Sequence, residues 1–322
     1  MEQRLENARM GVSAGGSGMA APWLCRHVAV KKEDMSMTGY FRSFRQMFTE
    51  RVFSSRTYVV AVLQGFMLHL YMRPVAAFSR DMGYAAAPWA FPFILSNIFY
   101  LLLFMIGIIY CFSDVPFMQY KNMYQVIRTG RRRWAACQVS AILAQSFLIM
   151  AANVFFSMAL LSGSCEFTLD WGKLYHTLAL TGSPEEYRFL FAFSYETMQM
   201  FSPLELTALT VIIGTLGIGF IGLFMFAVSI YINRSVAVTA AFVMVLMIYL
   251  VENIHPLLRE KMAMFVPVNW MRVTQIGVKL HDSFIQPPVL YMLMVLAAGI
   301  AVCAVLILIK IKKMEFQWYK EE

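Results

Sequence analysis

Asp114 is the first residue to test for chemistry, and it stands alone. It sits in Ser113-Asp114-Val115-Pro116, a loop with no second carboxylate, so a paired acid and base cannot be assembled there. The histidines (His27, His69, His176, His255, His281) are dispersed along the chain. So are the cysteines (Cys25, Cys111, Cys137, Cys165, Cys303), three of them in or at the edge of apolar runs. No pair has metal-ligand spacing, and an odd, scattered set is not a disulfide framework. Gly15-Gly16-Ser17-Gly18 lacks the lysine and strand–helix context of a phosphate cradle. There is no G-x-S-x-G or H-E-x-x-H. The sequence therefore predicts no catalytic residue, no metal site and no cofactor held by this chain.

What the chain does carry is apolar length. Apolar residues make up 59% and charged residues 14% of its 322 positions, against about 25% charged in soluble domains. At 1.5 Å of rise per residue, roughly 20 apolar residues cross a ~30 Å hydrocarbon layer. Six stretches approach that requirement: 58–78, 89–112, 134–161, 206–232, 236–251 and 289–309. The second, Trp89–Phe112, has 24 residues without an Asp, Glu, Lys, Arg or His. The fifth has only 16, a marginal length. Gly214, Gly217, Gly219 and Gly222 in the fourth predict close helix packing, which matters where lipid supplies no hydrophobic drive. His69 is the one mid-span ionisable group; a neutral side chain hydrogen-bonded to a neighbouring helix is its expected state.

Between the spans lie three further features. Residues 1–37 form a polar, Gly/Ser-containing leader, read as disordered, with Met35 and Met37 as alternative starts. Over 40–52, Tyr40, Phe41, Phe44, Met47, Phe48 and Val52 share one helical face, predicting an amphipathic interfacial helix. After the second span, Ser113/Asp114 ahead of Pro116 reads as a helix start. Phe117, Tyr120, Met123, Tyr124 and Ile127 then share a face up to Gly130. Arg128 with Arg131, Arg132 and Arg133 follows immediately. Residues 162–203 are mixed and more polar, and 252–286 hold two short amphipathic pieces around Pro267 and Trp270.

The net charge of +8 follows the distribution expected of a membrane protein rather than of a nucleic-acid binder. With the N-terminus inside, the inner segments hold 19 of the 27 Lys/Arg and the outer segments 8. That asymmetry places both termini in the cytoplasm. Of aspartate, glutamate and histidine, the mid-membrane groups on which ion-coupled carriers rely, the span cores contain only His69, so a transporter without further coupling groups needs its energy from elsewhere.

FSDVPFMQYKNMYQVIRTGRRRW (112–134) resembles the coupling segment of bacterial type-2 ATP-binding-cassette exporter permeases, and PVNWMR (267–272) resembles their outer segment before the last span. The resemblance covers roughly residues 38–315. It implies an all-α integral membrane protein: six transmembrane helices, an N-terminal amphipathic interfacial helix, and a short cytoplasmic coupling helix between spans two and three. It also implies an ATPase partner that binds ATP, a second permease copy or paralogue, and a location in the cell membrane. Asp114, Pro116, Phe117, Tyr120, Tyr124, Arg128, Arg131, Arg132 and Arg133 would then couple to that partner, and no nucleic acid would be bound. Anchoring to anionic lipid explains the same arginines equally well. The alternatives from the residues are an ion-coupled carrier and a non-transporting membrane partner, such as an immunity protein. Cargo is not encoded in any motif; a Met-rich lining would suit a hydrophobic or peptide solute.

Overall fold

A computed structural model describes residues 37–116, 123–181, 187–280 and 283–312; the leader 1–36 lies outside them. The regular structure among the described residues is helical apart from one short hairpin, β1 (Lys279–Leu280) and β2 (Ser283–Phe284), and an isolated bridge between Ala86 and Cys165. Five helices are long and apolar enough to cross a membrane: α2 (Ser55–Met82), α6 (Arg131–Leu161), α9 (Pro203–Tyr231), α10 (Arg234–Asn253) and α12 (Val289–Lys310). Their starts follow from local chemistry. Ser54 caps α2 by accepting from the Thr57 amide, Asn233 caps α10 through Val236, and Ser202 with Glu205 forms a reciprocal capping box on α9. α10, expected to be marginal, runs for 20 residues: the cap recruits Arg234 and Ser235 into its first turn, and Glu252 and Asn253 extend its last.

The apolar run 89–112 is not one helix. It divides into α3 (Phe91–Ser96) and α4 (Ile98–Phe112), with Asn97 extended between them (ψ 129°). The Asn97 side-chain oxygen accepts from the Phe99 and Tyr100 amides and from the Tyr71 hydroxyl, while its amide donates to the Leu190 carbonyl. An asparagine offered that many partners outside a helix caps a new one instead of continuing the old. At 15 residues, α4 alone extends about 22 Å.

α9 is the axis of the bundle, touching α4, α6, α10 and α12. Its glycines make this possible. A Cβ at Gly219 would come within 2.7 Å of Leu143, and one at Gly222 within 2.8 Å of Ile142. α4 is held between α2 and α10, and α1 (Met37–Val52) lies along α6. Within α1, Met47 is buried and Tyr40 and Phe44 pack on the core, but Phe41, assigned to the same face, is 60% exposed.

One end of the bundle is capped by α7 (Gly172–Thr181), α8 (Tyr195–Met200) and an extended strap over 187–194. The strap's alternate residues Tyr187, Phe189, Phe191 and Phe193 point inward. Phe78 meets Tyr187 edge-on at 5.2 Å, and Tyr175 stacks on Phe193 at 4.6 Å. This period-two aromatic pattern was available in the sequence but was obscured by the polar character of the surrounding stretch.

Candidate coupling elbow and latch

The elbow is at the end of the bundle opposite the cap. Asp114 lies just beyond the last turn of α4, in a turn, with residues 117–122 outside the described residues. The helix start expected after Pro116 lies outside the described residues; within them 113–116 form a turn, and tertiary cations meet the Asp114 carboxylate. Asp114 Oδ1 meets Arg56 at 2.6 Å and Arg234 at 3.6 Å. Arg56 also donates to Ser113 Oγ at 2.5 Å and lies 5.7 Å over the Tyr110 ring. One aspartate thus ties the exit of α4 to the entries of α2 and α10. Exposed ion pairs contribute little singly; here three groups share a partly buried node, 28% exposed at Arg56 and Asp114.

α5 (Met123–Thr129) is a separate short helix. Val126 and Thr129 are buried, and Gln125 donates to Glu50 of α1 at 3.2 Å. Gly130, predicted as the terminator, adopts φ +81° between α5 and α6, a left-handed conformation that glycine accepts without steric cost. Ile127 is 69% exposed. Arg131, Arg132 and Arg133 form the exposed first turn of α6, with no acidic residue there. Cations at a helix N-terminus oppose its dipole by about 0.3–1 kcal/mol each, so helix stability is not why they are present. Pro116 ends the described turn, Tyr124 and Arg128 belong to α5, and Phe117 and Tyr120 lie outside the described residues. Nearby, Arg51 of α1 donates to Gln138 of α6. Burial pushes the Arg51 guanidinium down to about 9, against the pull of Cys111 and Asp114, so it remains charged at neutral pH.

A second ionic node closes the opposite end of α4 and α10. Glu252 Oε2 holds Arg259 at 2.6 Å and Arg272 at 2.5 Å. Arg272, 6% exposed, also donates from Nε to the Ser96 carbonyl at 2.8 Å, and the Thr274 amide approaches Ser96 Oγ at 3.3 Å. The carbonyl orphaned by the helix break thereby gains a charged donor. Burial pushes the Arg272 guanidinium down and the Glu252 carboxylate pulls it back up. PVNWMR is thus the piece that latches the broken helix to α10, with Trp270 buried and donating to the Ala263 carbonyl at 2.6 Å. This latch was missed because its partners are 20 and 176 residues apart in sequence.

His69 is exposed on α2 and has no hydrogen-bond partner among the described residues, contrary to the expected bond to a neighbouring helix. The polar contacts inside the bundle come from uncharged amides: Asn153 donates to Gln64 at 2.9 Å, and Gln145 approaches Cys111 at 3.2 Å. No cluster of three or more metal-ligating side chains occurs among the described residues. The fold defines a multi-pass helical membrane protein. Compared with protein families, curated proteins and solved structures, the chain matches none.

Proposed function

We propose that this chain is the membrane-spanning permease subunit of an ATP-binding-cassette exporter, driven by a separate ATPase subunit at the elbow. The supporting observation is the construction of that elbow. α5 is fixed on one side through Val126, Thr129 and the Gln125–Glu50 bond, while Ile127 is left 69% exposed beside a basic turn. An exposed apolar side chain one turn ahead of an exposed basic turn suits an acidic cleft on a soluble partner. Movement of α5 would pass to α6 by direct continuation. Through Asp114 it would also reach α4, α2 and α10 together, since Arg56 and Arg234 grip the same carboxylate.

In this reading α3 and α4 jointly provide the sixth crossing. Both termini and the elbow are cytoplasmic in the cell membrane, the cap faces outward, and a second copy or paralogue completes the transporter. ATP is bound and hydrolysed by the partner. The exposed position of His69 on α2 disfavours the ion-coupled alternative, which requires an enclosed titrating group. The test is purification in mild detergent from the native host, with crosslinking and mass spectrometry. An ATP-binding-cassette ATPase in stable stoichiometry supports the assignment; a partner-free chain under crosslinking refutes it.

A further inference from the structure

The cap contains a cleft of about 810 Å³ between α7, α8 and the first turn of α9, within the size range of small-molecule sites. Its floor includes Trp171, buried and fixed by an indole N–H bond to the Phe201 carbonyl at 3.0 Å. Its rim is apolar and open: Tyr84, Leu180 and Met200 are 46–66% exposed. Two opposite charges, Asp170 and Lys173, line the same cleft. They flank Gly172, whose φ of +73° reverses the chain between them. Both are exposed, and neither has an ion-pair partner among the described residues. His176 adds a ring nitrogen donor to the lining.

The cleft also has a definite relation to the apolar surface. α9 begins at its edge with Pro203, and the outward side of that span continues from it through Leu204 and Ile212, 53% and 50% exposed. These two residues lie eight positions apart, about 12 Å along the helix. A cleft with charges of both signs and aromatic walls therefore adjoins the start of α9 and its exposed apolar residues Leu204 and Ile212. Aromatic residues such as Tyr84 and Trp171 are of the type that anchors proteins at membrane interfaces.

We propose that this cleft binds the zwitterionic headgroup of a membrane phospholipid of the ethanolamine type. The phosphate accepts from Lys173 Nζ and the His176 ring, the primary ammonium donates to the Asp170 carboxylate, and the acyl chains run down the Leu204–Ile212 strip. A quaternary choline lacks the N–H donors for Asp170, and an anionic glycerol headgroup can offer hydroxyl donors but no cation to neutralise that carboxylate. The site does not depend on an ATPase partner.

The test is native mass spectrometry of the full chain released from nanodiscs containing equal phosphatidylethanolamine, phosphatidylcholine and phosphatidylglycerol. Wild type should retain phosphatidylethanolamine preferentially. Asp170→Asn and Lys173→Gln should each reduce that retention roughly two- to fivefold, the range of a solvent-accessible charge contact. The thermal midpoint should not move, because both side chains are exposed. Soluble phosphoethanolamine at millimolar concentration should not displace the lipid. Phosphatidylglycerol held as well as phosphatidylethanolamine, retention unchanged in both variants, or full displacement by the soluble headgroup would each overturn the proposal.

Discussion

Replacing Glu252 by glutamine probes the latch most sharply. The substitution preserves size but removes the negative charge that holds Arg259 at 2.6 Å and Arg272 at 2.5 Å. Two guanidinium groups, 13% and 6% exposed, then face each other without a counterion. Breaking one side of a fully buried pair costs about 3–5 kcal/mol. Glu252 is 32% exposed, and screening reduces the figure to about 2–3 kcal/mol. At roughly 2–4 °C per kcal/mol for a large domain, the thermal midpoint should fall by about 4–12 °C. Arg272→Met should also destabilise, by removing the donor to the Ser96 carbonyl. The double variant should then lose less than the sum of the singles, since only Arg259, and no longer Arg272 beside it, is left without its counterion. The assay is thermal unfolding of the detergent-purified protein followed by tryptophan fluorescence, with Trp270 two positions from Arg272 as a local reporter. A midpoint within about 1 °C of wild type for Glu252→Gln, or strict additivity in the double variant, would refute the latch.

Other outcomes follow from the same geometry. Asp114→Asn should loosen the ends of α2, α4 and α10 together, seen as faster hydrogen exchange at all three; exchange confined to α4 would contradict a shared node. Asn97→Leu should remove the cap on α4 and weaken the strap bonded through Leu190, costing about 1–2 kcal/mol and raising protease sensitivity across 187–193. Gly219→Val should disturb the contact with Leu143, where even a Cβ would lie at 2.7 Å, and destabilise by about 1–3 kcal/mol; a neutral result would mean that α6 and α9 pack less tightly there. Ile127→Glu should leave the thermal midpoint unchanged, because the side chain is exposed, but lower recovery of the ATPase.

Composition made five spanning helices legible, because hydropathy averaged over 20 residues is insensitive to detail. The same averaging hid the break at Asn97, one polar residue inside an apolar run. Caps at Ser54, Ser202 and Asn233 act locally and were readable in principle; they set the ends of α2, α9 and α10 beyond the apolar runs. Asp114 shows what local logic leaves out. Its neighbours suggest a helix cap, and the tertiary fold adds Arg56 and Arg234, which bind the carboxylate and have no local signature. The Glu252–Arg272–Ser96 contact carries no local signature, because burial and long-range closure create it. The strap is a different case: Tyr187, Phe189, Phe191 and Phe193 alternate as a half-buried strand should, and only a period-two reading would have found them.

A photo-crosslinking amino acid at position 127, activated in native membranes, tests the central claim most directly. The account predicts covalent capture of an ATP-binding-cassette ATPase, because Ile127 is the exposed apolar point of the elbow. Capture of lipid alone, or labelling from the exterior face of the membrane, would contradict it.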